Sequence, residues 1–334
     1  MADQGSEPLR VLIIGAGTGG LALAHGLKGA GIAFSVYERH RNPLEDQGGY
    51  RVGISPAGSR ALKSCVPPWL FELFVGTCAR APRYFNLLTE GFSELLCLEL
   101  QDEAANPVEA ERNIVRTTLR RVLMTGLEGS VFSGKEFTHY RANADGSVTA
   151  HFADGSADTG TLLVGADGTA SRVRGQRLPE ARLEATGIVS LGGKLPMTEG
   201  SKALLSDKML HGMSMIMAPR GFGAIIHSLD FSDRRCNPEL LSHWPQFSDA
   251  VSNDSLGWGL WGAHYNFPQD PASLTGAEAI NLALAVTQTW EPRFRTLIAE
   301  TDRATIQHIT IRTSIPRPPW PSSNVTLLAM PSIP

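Results

Sequence analysis

The amino-acid sequence predicts an α/β protein in which a parallel sheet is flanked by helices and an interleaved second domain carries an antiparallel sheet. An apolar run at 9–14 ends in a glycine-rich loop and an apolar helix pattern, which is typical of a buried parallel strand and its crossover helix. A similar run at 160–165 is followed by an acidic residue and glycine. From 183 to 285, apolar segments alternate with loops rich in Pro, Asp and Ser, which favours an antiparallel sheet.

Length, composition and charge exclude several classes of protein. A chain of 334 residues corresponds to one large mixed domain or two interleaved ones. With 42% hydrophobic and 19% charged residues, it is neither disordered nor fibrous. A net charge of −3 without charged blocks gives no footprint for nucleic acid or an anionic membrane. We expect no transmembrane segment, because no run of about 18 apolar residues occurs.

The cysteines and the N-terminus predict a cytoplasmic protein without a metal site. Cys65, Cys78, Cys97 and Cys236 form no C-x-x-C pair, so reduced thiols are expected and zinc is not. Residues 1–8 lack the basic stretch of a signal peptide. The histidines form no H-x-x-x-H pattern, which argues against a metalloenzyme or a hydrolase.

The glycine-rich loop predicts a dinucleotide site. Gly15, Gly17 and Gly20 fit the pattern G-x-G-x-x-G. Gly15 suits the tight turn, Gly17 lets the backbone approach a pyrophosphate, and Gly20 lets helix and strand pack closely. The helix that follows offers free N–H groups to phosphates.

A second apolar run at 32–37 ends in Glu38, 18 residues after Gly20. A carboxylate at this position is expected to meet a ribose hydroxyl. Strand, loop, helix, strand and acid occur in the order of a nucleotide-binding unit, but these residues alone leave NAD and FAD equally open.

A downstream segment favours FAD. Residues 165–174 read G-A-D-G-T-A-S-R-V-R. This resembles the G-A-D-G-x-x-S-x-[VI]-R segment of the class A flavoprotein monooxygenases, the family of para-hydroxybenzoate hydroxylase, salicylate hydroxylase and zeaxanthin epoxidase. The resemblance implies a Rossmann-like FAD-binding domain with a parallel sheet and a β-meander, and it implies that Asp167 and Gly168 belong to the cofactor site.

Two further segments resemble the same family. Residues 49–58 resemble the strand, turn and helix that pass the flavin, which implies that Gly49 lies close to the cofactor. Residues 116–123 resemble the R-x-x-L-x-x-x-L helix, which implies that Arg116 contacts the phosphate or ribityl region of FAD. Arg120 and Arg121 are interpreted as solvated charges.

The strands predicted at 136–140, 147–152 and 161–164 form the β-meander, with turns at 143–146 and 153–156. A helix is expected at 276–301. The predicted domains are discontinuous: residues 1–75, 105–182 and 286–334 form the FAD-binding domain, and residues 76–104 and 183–285 form the substrate-binding domain.

The substrate domain offers candidate residues for a pocket. Trp258 and Trp261 are candidates for its lining, with simple packing as the alternative. The methionines at 209, 213, 215 and 217 suit an adaptable apolar wall, with the filling of gaps in the core as the alternative. Arg51, on the strand that passes the flavin, is a candidate for electrostatic tuning, with a surface role as the alternative.

The resemblance implies an enzyme in which NAD(P)H, binding transiently, reduces FAD, and one atom of O₂ is inserted into a hydrophobic small molecule. The reaction is an aromatic hydroxylation or an alkene epoxidation, and a role in secondary metabolism is expected. Two alternatives remain: a related flavin or nicotinamide oxidoreductase that does not use O₂, and a remnant without activity.

The last residues differ from the family pattern. In the family, the strand that resembles 325–328 leads into G-D-A-x-H, whereas this chain continues Ala-Met-Pro-Ser-Ile-Pro at 329–334. We interpret the chain as a C-terminally truncated form, and we expect the missing motif to weaken FAD binding.

Overall fold

The computed structural model describes residues 8–42, 51–100, 108–235, 238–315 and 319–328. Within these ranges the strands run in the following order: β1 (Arg10–Ile14), β2 (Ala33–Glu38), β3 (Val52–Ile54), β4 (Tyr84–Thr89), β5 (Glu94–Glu99), β6 (Arg112–Ile114), β7 (Val131–Ser133), β8 (Phe137–Ala142), β9 (Val148–Phe152), β10 (Ala157–Gly160), β11 (Leu162–Gly165), β12 (Leu183–Pro196), β13 (Gly212–Met217), β14 (Gly223–Leu229), β15 (Ser255–Ala263), β16 (Gln307–Ser314) and β17 (Val325–Leu327).

The α-helices of the same ranges are α1 (Thr18–Gly29), α2 (Pro56–Cys65), α3 (Pro68–Thr77), α4 (Arg116–Met124), α5 (Arg172–Arg177), α6 (Glu199–Lys202), α7 (Asp207–Leu210), α8 (Ser232–Arg235), α9 (Pro238–His243), α10 (Gly276–Val286) and α11 (Pro292–Ala299). None of these helices is both long and apolar enough to cross a membrane.

A parallel sheet holds the glycine-rich loop, in the strand order β17-β11-β1-β2-β7. β1 is apolar and buried from Val11 to Ile14, as expected of a strand covered on both sides. Val11 and Ile13 pack in the core formed with α1 to α4, whereas Leu12 and Ile14 pack in a second core beneath the meander. The parallel sheet predicted from the sequence is therefore present.

The meander consists of β8, β9 and β10, which pair antiparallel in the order β10-β9-β8. Its turns contain Gly146 at φ +85° and Gly155 at φ +81°, a region of backbone conformation that favours glycine. The prediction of a meander strand at 161–164 is wrong, because β11 pairs with β1 in the parallel sheet and β10 is the third meander strand.

The second sheet has seven strands in the order β16-β12-β15-β14-β13-β4-β5. All its neighbours pair antiparallel except β13 and β4, which run parallel. Along the inner strands, alternate side chains enter one large core with α10 and α11, including Leu191, Ile216, Ala224 and Leu260. This alternation is expected of a sheet covered by helices on one face.

Two predictions at the C-terminal side need correction. The single helix expected at 276–301 is two helices, α10 and α11, because Pro292 cannot continue the hydrogen-bond ladder of a preceding helix. The boundary at 286 is also misplaced: β16 pairs with β12, and Phe294 of α11 lies in the core of the seven-stranded sheet. This part of the chain joins the antiparallel domain as far as Ser314.

Candidate functional site

The glycine-rich loop connects β1 to α1 in a conformation that excludes larger residues at two positions. Gly15 has φ +109°, and a Cβ there would lie 2.4 Å from the carbonyl oxygen of Ala166. A Cβ at Gly20 would lie 2.1 Å from the carbonyl oxygen of Gly15. Both glycines are therefore required by the packing of strand, loop and helix, as the G-x-G-x-x-G pattern predicts.

Gly17 differs from these two glycines. It precedes α1 as the N-cap residue, and a Cβ built on it would meet no atom of the described residues within 4 Å. The space beside it is the cleft, so the packing of the described residues does not require a glycine there. A ligand approaching the backbone would require it.

Glu38 ends β2 and faces the loop. Its Oε2 accepts a hydrogen bond from the Ala16 N–H at 3.1 Å, and its Oε1 accepts one from the His40 N–H at 3.0 Å. The residue is buried, at 5% exposed. These backbone donors hold the carboxylate at the wall of the cleft.

Two arginines of α4 line the same cleft. Arg116 is exposed at the first position of the helix. Arg120 donates from Nη2 to Glu38 Oε2 at 2.6 Å and from Nε to the Ala16 carbonyl at 2.8 Å. The interpretation of Arg120 as a solvated charge is therefore wrong. The spacing of four residues from Arg116 places both side chains on one face of a helix, and this is the signal that could have found it.

Asp167 and Gly168 form the opposite wall of the cleft, after β11. Asp167 Oδ1 accepts a hydrogen bond from the Ser171 hydroxyl at 2.5 Å, and Oδ2 accepts from the Arg172 N–H at 2.8 Å. The aspartate thus accepts from an N–H group in the first turn of α5 and supports Ser171, the N-cap residue of that helix. Gly168 has φ +75° and an exposed position, which suits the turn between the strand and the cap.

The cleft has a volume of about 380 Å³, within the usual range of ligand sites. Gly15, Gly17, Glu38, Arg116, Asp167 and Gly168 all line it, whereas Gly20 lies behind the loop. Its charged lining comprises Arg39, Arg116, Arg120, Lys135 and Arg172 against Glu38, Glu136 and Asp167. Five basic and three acidic groups give an excess of positive charge, which suits an anionic ligand such as a pyrophosphate.

The remaining predicted residues lie elsewhere. Gly49 is outside the described residues. Arg51 lies between the two-stranded sheet of β3 and β6 and the seven-stranded sheet, donating from Nε to Asn113 Oδ1 at 2.9 Å and from Nη2 to Met213 Sδ at 3.5 Å. No group of three or more His, Cys, Asp or Glu side chains within the described ranges is arranged to hold a metal ion.

The two tryptophans lie on opposite faces of β15. Trp258 is 1% exposed in the helix-covered core, and its Nε1 donates to Thr301 Oγ1 at 2.7 Å. This side chain is core packing and lines no pocket. Trp261 belongs to the other face, where its ring packs over Gly223.

That other face of the seven-stranded sheet is mostly apolar and partly exposed, with the buried His227 opposite Met213. Register places Met213, Met215 and Ile225 on it with Trp261. All four are half-buried, and Met217 at the end of β13 is 49% exposed. Of the four methionines expected to form a wall, Met209 lies instead in the core with the helices.

Comparison with known proteins identifies relatives along nearly the whole chain. The dual O-methyltransferase/FAD-dependent monooxygenases CTB3 of Cercospora beticola and elcB of Phaeosphaeria nodorum are 31% and 30% identical over 98% and 96% of this chain. These matches cover 40% and 37% of the relatives, so the chain spans about two fifths of their length. No protein-family model matches the chain.

Solved structures share the fold. A Photorhabdus luminescens protein solved as an FAD-containing monooxygenase matches with a TM-score of 0.81 and 26% identity, over 96% of this chain and 80% of that one. Klebsiella pneumoniae HpxO, solved with FAD and uric acid, matches with a TM-score of 0.73 and 20% identity over 96% of this chain and 72% of its own. At 20% identity, the similarity to HpxO shows a shared fold and nothing further.

Proposed function

We propose that the chain, whose fungal relatives are FAD-dependent monooxygenases, binds FAD in the cleft beside Gly17 and transfers one atom of O₂ to a hydrophobic small molecule. The observation that carries this proposal is the convergence of Gly17, Glu38, Arg116 and Asp167 on one positively charged cleft. Three segments far apart in the sequence supply these residues, and only the fold brings them together.

The residues present fit the cofactor. The open space at Gly17 and the start of α1 would receive the pyrophosphate. Glu38, held by two backbone N–H groups, would accept hydrogen bonds from the ribose. Arg116 at the rim would contribute positive charge. FAD, when bound, supplies the redox chemistry that activates O₂.

The chain's own contribution to the reaction is to bind and orient the substrate. We assign this role to the apolar face of the seven-stranded sheet, which presents Met213, Met215, Ile225 and Trp261. Thioether and aromatic side chains adapt to bulky apolar ligands and exclude water. Arg51 contacts Met213 at the edge of this face and is our candidate for electrostatic tuning.

The proposal includes NAD(P)H as the transient reductant and a place in secondary metabolism. The names of the fungal relatives pair the monooxygenase with an O-methyltransferase. Such an enzyme modifies hydroxyl groups, and aromatic hydroxylation creates them. The proposal also places the protein in the cytoplasm, which Cys65 and Cys97, outside any disulfide among the described residues, support. Residues 329–334, where the sequence departs from G-D-A-x-H, lie outside the described residues.

Oxygen uptake tests the activity. The purified chain, loaded with FAD, is mixed with NADH or NADPH and a panel of phenols and polycyclic aromatics under labelled O₂. We expect substrate-dependent oxygen consumption and a product carrying one labelled oxygen atom. Substrate turnover without label would favour an oxidoreductase that does not use O₂. Failure to retain FAD would favour the inactive remnant.

A further inference from the structure

Arg120 lines the cleft, whereas the adjacent Arg121 does not. Arg120 lies on the cleft side of α4, one helical turn after Arg116. Arg121 points the other way, with Nη1 2.8 Å from Asp249 Oδ2 and its guanidinium 5.0 Å from the ring of Phe247. Adjacent residues of a helix face different directions, so the two arginines form a natural pair of test and control.

The contacts of Arg120 close a ring of hydrogen bonds around one peptide unit. Ala16 donates its N–H to Glu38 Oε2, and the same oxygen accepts from Arg120 Nη2. Arg120 then donates from Nε to the carbonyl oxygen of Ala16. Ala16 stands between Gly15 and Gly17, at the centre of the glycine-rich loop. Both polar groups of this residue are therefore held by the Arg120–Glu38 pair.

The ring is largely removed from water. The side chains of Arg120 and Glu38 are 15% and 7% exposed. Burial lowers the pKa of the Arg120 guanidinium, and Glu38 opposes this effect, while Arg116 and Arg39 add to it. Removing one partner of a buried ion pair leaves the other charge uncompensated. A lysine cannot replace this arginine, because a single ammonium group lacks the planar fork that reaches two acceptors at once.

We propose that Arg120 is a positioning residue for nucleotide binding, which fixes the Ala16 peptide and the Glu38 carboxylate relative to each other before the ligand arrives. This inference rests on the proposed function, since it assigns the cleft to FAD. The loop offers its backbone to the pyrophosphate and Glu38 offers its carboxylate to the ribose. Holding both in place reduces the ordering that binding must otherwise impose. The Ala16 peptide and Glu38 would contact the adenosine diphosphate half of the cofactor. We therefore expect the affinities for ADP and for FAD to fall equally when Arg120 no longer holds these two groups.

The test compares Arg120→Lys with Arg121→Lys. Dissociation constants for ADP and for FAD are measured by calorimetry well below the unfolding temperature, and amide hydrogen exchange is followed in peptides covering the glycine-rich loop. We expect Arg120→Lys to weaken both ligands by on the order of tenfold, the scale of a lost charged hydrogen bond, and to speed exchange in the loop. Arg121→Lys leaves both unchanged. A merely structural role would lower thermal stability without changing either dissociation constant.

Wild-type affinity for ADP and FAD in Arg120→Lys would overturn the inference. If the wild-type chain binds neither ligand, the proposed function fails, independently of the role of Arg120. The amide hydrogen exchange of the glycine-rich loop then tests that role. Equal exchange in Arg120→Lys and Arg121→Lys would contradict the inference that Arg120 holds the loop in place. Should Arg120→Lys fail to fold, Arg120→Gln, which retains one donor for the Ala16 carbonyl, takes its place with the same expected direction.

Discussion

At the scale of single residues, the three glycines of the loop have separable roles. Gly15 and Gly20 are fixed by contacts within the protein, whereas Gly17 borders only the cleft. The sequence pattern predicts all three glycines and Glu38, because their spacing along the chain is that of a dinucleotide-binding unit. The spacing of four residues from Arg116 places Arg120 on the same helix face, but it does not show that Arg120 meets Glu38 across the loop.

Gly17→Ala is expected to preserve folding and weaken FAD binding by on the order of tenfold or more, because the added methyl group enters space beside the loop backbone that a pyrophosphate needs. Titration of FAD by flavin fluorescence measures this effect. The control is Gly29→Ala at the exposed end of α1, where a Cβ also meets nothing within 4 Å. Equal FAD affinity in the two variants would show that the ligand does not approach Gly17.

Gly20→Ala, unlike Gly17→Ala, is expected to destabilise the fold. We expect a loss of roughly 1–3 kcal/mol in the free energy of unfolding, the usual cost of overpacking. The reason is the 2.1 Å approach between the new Cβ and the Gly15 carbonyl. Urea denaturation of the ligand-free chain measures the loss. A stability equal to that of the wild type would contradict the described packing of loop and helix.

A buried histidine predicts a pH dependence. Burial, and to a lesser degree the charge of Arg51, hold the pKa of His227 well below its usual value of 6.5. The unfolded chain therefore binds a proton that the folded chain excludes, so stability is full above about pH 6.5 and falls as the pH decreases below it, by at most about 1.4 kcal/mol per pH unit from this group. His227→Gln should flatten the decline measured by urea denaturation between pH 7 and 5. The exposed His243, changed to Gln, serves as the control, and an equal slope in both variants would contradict the assignment.

At the scale of elements, the G-A-D-G segment does two things at once. Gly165 lies so close to Val173 that a Cβ would meet its Cβ at 2.7 Å, which packs α5 against β11. Asp167 accepts from an N–H group in the first turn of the same helix while lining the cleft. The sequence motif predicts that these residues belong to the cofactor site, but it does not reveal that Asp167 accepts hydrogen bonds from Ser171 and Arg172 of the protein itself.

Asp167→Ala is therefore expected to lower the free energy of unfolding by about 1 kcal/mol even without cofactor, the typical cost of losing a helix cap. Asp167→Asn, which keeps one acceptor oxygen, should lose less. Denaturation of the cofactor-free proteins measures both. An unchanged free energy of unfolding in Asp167→Ala would mean that the carboxylate does not stabilise α5. Contact with the ligand would then be the remaining reason for an aspartate at this position.

At the scale of the whole molecule, the sequence predicts two sheets but misplaces the segment 286–314. The apolar pattern of that segment suits either sheet, and only the pairing of β16 with β12 decides between them. Arg51 shows a similar limit. Its position before β3 indicates a flavin-side residue, but its contact with Met213 follows from how the seven-stranded sheet meets β3 and β6.

Because Arg51 contacts Asn113 of β6 and Met213 of the seven-stranded sheet, Arg51→Lys is expected to reduce substrate-dependent oxygen uptake by on the order of tenfold through the loss of both contacts. The affinity for FAD should change little, since Arg51 does not line the cleft. Arg60→Lys, on the solvent side of α2, is the control. Unchanged oxygen uptake in Arg51→Lys would favour a surface role.

The central claim is that the cleft beside Gly17 holds FAD, and the visible absorption spectrum of the purified chain tests it most directly. The chain is incubated with FAD, dialysed, and compared with Gly17→Ala treated in the same way. The account predicts a retained flavin spectrum, close to one FAD per chain, that is diminished in Gly17→Ala. A wild-type chain that stays colourless after dialysis would contradict it.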